Sequence, residues 1–232
     1  MDFIKILEKD IEAKHISKHP FYHLWNEGKV SMEALREYAK QYHQFVSAFP
    51  RFVSRVHSNT PFAKERSMIL ENLNEEENPE LPHEELWVRF AEGLGVKRNR
   101  LDTQPLPETK RMLEELSELC SKGFLEGSAA LLAYEAQIPE IAKLKMEGLV
   151  RHYKLKDQRS LEFFEVHREV DIEHQKTWKE IISRHAKTKE QQAEVRAALN
   201  TSLDAMWGML DGIYREYCGG DCGCSPDHLK AV

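Results

Sequence analysis

A histidine and carboxylate triplet in the second half of the chain has the residue types and the spacing of a metal-binding face. His167, Asp171 and His174 stand at positions i, i+4 and i+7. On an α-helix each residue turns the chain by about 100°, so the three side chains span about 60° of arc and point the same way. Imidazole and carboxylate groups on one face can bind a metal such as iron, manganese or zinc. A solvated polar stripe is the alternative, because charged residues crowd the same segment.

A second candidate ligand, Glu135, lies in the most apolar segment of the chain. The run AALLAY precedes it, and Ile138 and Ile141 follow. A buried carboxylate is costly unless it is paired, protonated or bound to a metal. A glutamate that faces histidine and aspartate on another helix is typical of dinuclear sites in helical bundles. The Glu-x-x-His repeat of ferritin-like proteins is absent, which predicts a different bundle. A buried pair with Lys or Arg is the alternative interpretation.

A third candidate region is the acidic segment NEEENPELPH, which contains Glu76 and His83. Pro79 and Pro82 prevent one continuous helix here and restrict the backbone to a shape that suits a ligand-bearing loop. Spacing does not distinguish Glu76 from its acidic neighbours. A solvated acidic turn therefore stays open as the alternative.

The elements that must position these residues are predicted to be helical, because apolar residues recur with a period of about 3.6 and no alternating strand pattern occurs. We predict a long helix that begins after Ser31 and is kinked or broken at Pro50. Another helix is predicted from about Pro61 to Leu73, and helix restarts near His83.

Three further helices are predicted in the second half of the chain. One continuous buried helix should run from Ala129 to Gly148 with a proline inside it. The next should be capped by Ser160 and continue to about Arg184. Thr188 with Gln191 has the pattern of a capping box for the last helix.

Composition indicates a single globular domain. Of 232 residues, 31% are charged and 41% hydrophobic, and the formal charge of −6 leaves no basic stripe for nucleic acid. The apolar runs are too short to span a membrane, and the charged N-terminal residues do not resemble a secretory signal, so we predict a cytoplasmic protein. The predicted organisation is a helical domain over residues 1–217 and a flexible tail over 218–232. This tail contains Cys218, Cys222 and Cys224.

Five segments resemble a known family. They are HPFYHLW, EYAKQYHQFVSAFPRFVSRVHS, NLNEEENPELPHEELW, AYEAQIPEIAKLKMEGL and HREVDIEH. All five are similar to the chlamydial-type family of death-domain-associating proteins. That family is part of the wider haem-oxygenase-like group, which includes pyrroloquinoline-quinone synthase and thiaminase II. The resemblance extends from about Ile11 to Tyr217. It implies an all-α bundle of about seven helices around a central cavity, and a homodimer.

The resemblance also implies a ligand set and a cofactor. In the dimetal oxidase branch of this group, the ligand positions fall on Glu76, His83, Glu135, His167, Asp171 and His174. The implied cofactor is two transition-metal ions, either two irons or iron with manganese. Dioxygen and a reductant are the implied co-substrates.

The chlamydial-type proteins resemble self-sacrificing oxygenases that make para-aminobenzoate for folate from one of their own tyrosines. If these roles are carried over to the matching positions of this sequence, Tyr22 would be the consumed residue and Lys145 would be the amino donor. Each chain would then react about once. On a straight helix, Lys145 would lie about 15 Å from Glu135 and about 80° around the axis. A solvated surface lysine is therefore the alternative for Lys145.

The sequence also bears on three other possible functions. A pyrroloquinoline-quinone-synthase-like oxidase would act on a small-molecule substrate without a metal, which the six candidate ligands disfavour. Thiaminase II needs a nucleophilic cysteine near the middle helix, and residues 128–137 contain none. An interaction module for death-domain proteins is possible, but it would need neither a buried Glu135 nor a His-Asp-His face.

Overall fold

The computed structural model describes residues 2–219, and every regular element among them is helical. The α-helices are α1 (Phe3–Ala13), α2 (Pro20–Asn26), α3 (Met32–Asn59), α4 (Ala63–Glu76), α5 (His83–Gly93), α6 (Pro107–Lys122), α7 (Phe124–Glu135), α8 (Ile138–His152), α9 (Gln158–His185) and α10 (Lys189–Tyr217). The all-α class is confirmed. Ten helices exceed the expected seven or so, partly because one predicted helix is divided. Within this range, no helix combines the length and apolarity that a membrane crossing requires.

Helices α7 and α9 form the interior of the bundle. Helix α7 packs against α6, α9 and α10, while α9 also packs against α4, α5 and α8. Side chains on every side of α7 are buried, as expected for a helix without a polar face. The buried stripe of α9 is apolar at both ends and polar in the middle, where His167, Asp171 and His174 lie. The candidate metal face is therefore in the core, and the solvated stripe is wrong.

The predicted continuous helix from Ala129 to Gly148 is wrong. Helix α7 ends at Glu135 and α8 begins at Ile138, with Pro139 in its first turn, where a missing N–H costs no helical hydrogen bond. The Gln137 side chain stabilises the break, because it donates to the Ala133 carbonyl (2.6 Å) and accepts from the Ile16 N–H (2.8 Å). Helix α8 then packs against α2 and α9.

Two features in the first half of the chain bear on the predicted helix boundaries. The predicted break at Pro50 is wrong, because helix α3 continues through it, and the kink stays a prediction. The buried face of α3 packs against α4, α5, α6, α7 and α10, and this packing outweighs the helix-breaking cost of one proline, about 3 kcal/mol. Helix α4 extends beyond Leu73 to Glu76, so Glu76 lies on a helical turn rather than in a loop.

The N-termini of the last two helices show one wrong and one confirmed prediction. The cap of α9 is Asp157, whose side chain accepts from the Ser160 N–H at 3.0 Å, while Ser160 itself is buried in the first turn. The capping box of Thr188 and Gln191 is confirmed. Helix α10 ends at Tyr217. Residues 220–232, which hold most of the predicted flexible tail, lie outside the described residues, and the homodimer stays a prediction.

Candidate metal centre

The six predicted ligands come from four helices and meet inside the bundle. Helix α4 contributes Glu76, α5 contributes His83, α7 contributes Glu135, and α9 contributes the other three. They form two groups, and within each group the candidate ligand atoms lie within 4.8 Å of one another. The first group is Glu76, His83 and His167, and the second group is Glu135, Asp171 and His174. All six residues are at most 5% exposed.

The first group pairs one carboxylate with two imidazoles. His83 Nδ1 lies 3.0 Å from Glu76 Oε2, and the rings of His83 and His167 have centroids 4.4 Å apart. His167 Nδ1 lies 2.7 Å from the Phe163 carbonyl oxygen. Because a carbonyl can only accept, Nδ1 carries the proton of a neutral His167 ring, and Nε2 is the atom left to bind a metal.

The second group pairs two carboxylates with one imidazole. His174 Nδ1 lies 3.4 Å from Asp171 Oδ1 and 3.9 Å from Glu135 Oε1. The indole N–H of Trp178 donates to Glu135 Oε2 and so holds that carboxyl group in place. On the other side of the imidazole, His174 Nε2 lies 2.7 Å from Glu75 Oε2.

Burial shifts the ionisation of these groups. Burial raises the pKa of Glu135 well above its usual range, although His174 opposes the shift. Burial likewise raises the pKa of Asp171 to about 6. Burial and the neighbouring His83 lower the pKa of His167 to about 3. Burial alone would lower the pKa of His174, but Asp171 and Glu135 raise it to about 10. Without a cation, the cluster must therefore retain protons to balance its carboxylates.

Buried polar atoms without hydrogen-bond partners also indicate that these residues suit metal ions. Four buried atoms of the two groups make no aligned hydrogen bond within the described residues. They are His83 Nδ1, Glu135 Oε1, Asp171 Oδ2 and His174 Nδ1. Buried polar atoms without partners are rare and need an explanation. Carboxylate oxygens and imidazole nitrogens that converge without bonding each other form a donor set suited to first-row transition metals.

A chamber of aromatic rings adjoins the first group. Its rings, which define the aromatic chamber, are those of Tyr22, Tyr38, Tyr42, Trp87 and Phe164. Lys145 Nζ lies 4.5 Å from the nearest ring centroid and at most 5.7 Å from the other four. Lys145 is 2% exposed, so a solvated surface lysine is wrong, and burial lowers its pKa to about 7. The break between α7 and α8 accounts for this position.

Tyr22 is fully buried in the aromatic chamber. Its hydroxyl lies 3.2 Å from that of Tyr38, and burial raises its pKa, so the phenol stays neutral. The Trp25 indole N–H donates to the Lys145 carbonyl at 3.2 Å and ties α2 to α8. A cavity of about 10 Å³ lies beside Tyr22 and is also lined by Tyr42. It has room for about one water molecule.

A continuous stack of rings joins the aromatic chamber to the first group. Trp87 stacks on Tyr42 with centroids 4.6 Å apart and meets Phe163 edge-on at 4.8 Å. Phe163 in turn stacks on His167 at 3.9 Å. Two rings, those of Trp87 and Phe163, therefore lie between the buried phenol of Tyr42 and His167 of the candidate metal centre.

Sequence reasoning missed three residues of this region. Trp178 follows His174 by four residues, so helical spacing alone placed it on the same face. Trp87 offered no signal beyond that of a core residue. Glu75 was one of several acidic neighbours of Glu76, and its contact depends on where α4 meets α9.

The fold and the site define a class of protein, an all-α redox enzyme with a buried carboxylate and histidine centre. Residues 36–207 match the model of the haem-oxygenase-like family of iron-containing redox enzymes. The chain belongs to this family.

Among its relatives, the 4-aminobenzoate synthase of Nitrosomonas europaea is 41% identical over 227 residues, covering 93% of this chain and 92% of the relative. The 4-aminobenzoate synthase of Chlamydia trachomatis serovar D is 32% identical, covering 98% of each chain. A TenA homologue from Pseudomonas syringae pv. tomato has the same fold. It has a TM-score of 0.80 at 20% identity, covering 92% of this chain and 93% of that one.

Proposed function

We propose that this protein is a 4-aminobenzoate synthase that makes its product from its own Tyr22. The names of the two relatives above support the product. The observation that carries the proposal is the placement of Tyr22 and Lys145 together in the aromatic chamber. Lys145 Nζ is 5.7 Å from the centroid of the Tyr22 ring. Both residues are buried, and the ring of Trp87 connects their chamber through Phe163 to His167.

The structure of the product explains why a tyrosine and a lysine are needed. 4-Aminobenzoate, the para-aminobenzoate that the resemblance implies, consists of a benzene ring, one carboxyl carbon and an amino group opposite to it. The Tyr22 side chain contains that ring and carbon, with oxygen where the product has nitrogen. Release requires cleavage of the Cα–Cβ bond, oxidation of Cβ and replacement of the phenol oxygen. Lys145 would supply the nitrogen, and its pKa of about 7 makes a neutral amine available near neutral pH.

The two groups described above would hold the metals. When bound, two transition-metal ions, iron with iron or iron with manganese, would supply oxidising chemistry with dioxygen and a reductant. The first group would provide two imidazoles and one carboxylate, and the second group two carboxylates and one imidazole. The buried chamber would exclude water from the reacting phenol, and the Tyr38 hydroxyl would orient it.

The alternative is an oxidase that acts on an added small molecule, as in the pyrroloquinoline-quinone-synthase interpretation. The space beside Tyr22 does not favour it, because a cavity of about 10 Å³ is far too small for a benzoate-sized molecule. Since the phenol of Tyr22 is consumed, each chain would make about one product molecule.

Intact-mass spectrometry tests the proposal. Protein reconstituted anaerobically with iron and manganese is exposed to dioxygen and a reductant, and its mass is measured before and after. We expect each reacted chain to lose the side chain of Tyr22 and the amino nitrogen of Lys145, with each loss localised to its residue, and to release 4-aminobenzoate in equal amount. Protein grown on ¹⁵N-lysine should give labelled product.

Tyr22→Phe should show neither the loss nor the product, whereas Tyr217→Phe, a change on a half-buried tyrosine at the end of α10, should show both. Repeated turnover of an added substrate at constant protein mass would contradict the proposal and favour the alternative.

A further inference from the structure

A carboxylate outside the two ligand groups contacts one of their imidazoles. Glu75 Oε2 lies 2.7 Å from His174 Nε2. The Glu75 side chain is 51% exposed, whereas the His174 side chain is 2% exposed. Neighbouring residues on a helix point about 100° apart, so Glu76 can face the first group while Glu75 reaches the rim of the second. This contact therefore links the buried centre to the protein surface.

The contact determines which nitrogen of His174 faces the candidate metal. An ionised carboxylate can only accept a hydrogen bond, so the proton in this contact is on His174 Nε2. The opposite nitrogen, Nδ1, then points at Asp171 and Glu135, and it makes no aligned hydrogen bond with any described residue. When a metal ion takes the place of a proton on Nδ1, the ring is neutral with its proton on Nε2, and the lone pair of Nδ1 points into that space.

The partner of the other imidazole on α9 is different. His167 donates from Nδ1 to the neutral carbonyl of Phe163. A carboxylate partner makes an imidazole a stronger metal ligand than a carbonyl partner does. Ion pairs with a half-exposed member contribute little to stability, so folding alone does not account for this contact.

We propose that Glu75 is a positioning residue for the second group. It holds the ring of His174 in place, keeps its proton on Nε2 and directs Nδ1 to the metal of Glu135, Asp171 and His174. The inference rests on the metal ligation proposed above. It requires that loss of Glu75 weakens the second group and leaves the first group intact.

Binding of Mn²⁺ alone to the full-length protein, measured anaerobically by calorimetry, tests this requirement. His83→Ala leaves only the second group complete, and His174→Ala leaves only the first. In the His83→Ala background, Glu75→Ala should weaken binding by about ten- to a hundredfold. In the His174→Ala background the same change should have no effect. Glu77→Ala, which removes an exposed carboxylate two residues away, is the matched control and should change neither affinity.

A spectroscopic readout separates positioning from a general loss of structure. In protein loaded with diamagnetic Zn²⁺, ¹⁵N NMR of the imidazoles should show a protected Nε2–H on His174. Glu75→Gln keeps an acceptor and should retain that signal with an intermediate affinity, whereas Glu75→Ala should lose it. Metal-free Glu75→Ala should melt at nearly the wild-type temperature.

Three outcomes would overturn the inference. They are equal weakening in both backgrounds, an unchanged affinity in the His83→Ala background, and a proton on Nδ1 in the Zn²⁺-loaded protein. A wild-type protein that binds no metal would overturn the proposed ligation as well. If wild type and Glu75→Ala both bind two ions with equal affinity, only the role of Glu75 fails.

Discussion

The candidate metal centre and the aromatic chamber both bury ionisable groups, but they handle charge in opposite ways. In the metal centre, three carboxylates and three imidazoles face one another in two groups. Asp171 and Glu135 raise the pKa of His174 to about 10 against the effect of burial. In the aromatic chamber, five rings surround Lys145 Nζ, and burial lowers its pKa to about 7.

The difference shows how one small core can hold both a charged site and a neutral one. Nearby carboxyl groups keep the imidazole of His174 protonated in spite of its burial, while an isolated amine in an apolar environment loses its proton. The metal centre is thus suited to bind cations, and the chamber to present an uncharged amine to a phenol. The two regions should respond differently to metal, to pH and to local substitutions.

Metal loading should have the largest effect on the free energy of unfolding. This effect should come from the candidate metal centre and not from the aromatic chamber. A ligand at a thousandfold excess over its dissociation constant stabilises the folded state by about 4 kcal/mol per site. We expect Mn²⁺ to raise the free energy of unfolding of the wild-type protein by at least this amount in anaerobic urea titrations. His167→Ala and His174→Ala should each lose much of that gain, because each removes an imidazole from one group.

His152→Ala is the control, because His152 is exposed at the end of α8. It should keep the full stabilisation by Mn²⁺. Equal stabilisation of wild type and of the His167→Ala and His174→Ala variants would show that the metal binds elsewhere and would remove the contrast between the two regions.

The pH dependence of the free energy of unfolding should show that Lys145 is buried as a neutral amine. Its pKa is about 7 in the folded chain, against an ordinary value of 10.5. Between these values the unfolded chain binds a proton that the folded chain does not, so this residue makes stability rise with pH by up to about 1.4 kcal/mol per unit. Below about pH 7 both states are protonated, and the cost of burying the ammonium group is fully present.

Lys145→Met should remove this contribution and stabilise the protein most below pH 7. Urea titrations from pH 6 to pH 9 measure the free energy of unfolding of the variant and of wild type. The difference between the two should narrow by about 2.5 kcal/mol over that range. Lys143→Met, at an exposed position two residues earlier, should follow the wild-type curve. A Lys145→Met variant whose stability parallels wild type at every pH would show that Lys145 is not buried as a neutral amine.

Much of the metal centre could be predicted from the sequence because its signals are local. The spacing of His167, Asp171 and His174 is a property of one helix, and the apolar run before Glu135 indicates burial regardless of topology. The choice of Glu76 among its acidic neighbours was different. It came from family resemblance, because solvated and buried glutamates in one short segment look alike in sequence.

The aromatic chamber could not be predicted in the same way, since it depends on contacts between distant parts of the chain. The break after Glu135 is stabilised by a bond from Ile16 to Gln137, across 121 residues. A periodic apolar pattern on both sides of Pro139 does not show that break. Lys145 lies on α8 after this break, in the core rather than at the surface position that was the alternative for it. The contact of Glu75 with His174 could not be predicted from the sequence either, because it joins two helices, α4 and α9, that are far apart along the chain.

A smaller effect is predicted for a single methyl group at the junction of α2 and α8. A Cβ on Gly148 would lie 2.5 Å from Trp25 Cδ1 and 2.6 Å from its Nε1. Trp25 is fully buried and donates to the Lys145 carbonyl, so its ring has little room to move. Gly148→Ala should therefore destabilise the protein by about 1–3 kcal/mol, although alanine is the better helix former.

Gly208→Ala provides a matched control on α10, because nothing lies within 4 Å of its Cβ position. It should stabilise the protein by about 0.5–1 kcal/mol, the usual gain when alanine replaces glycine inside a helix. Since α8 contributes no ligand to either group, Gly148→Ala should still bind Mn²⁺ with nearly wild-type affinity. Two variants of equal stability would argue against the tight contact with Trp25. A loss of Mn²⁺ affinity in Gly148→Ala would instead show that the chamber and the metal centre form one cooperative unit rather than two neighbouring regions.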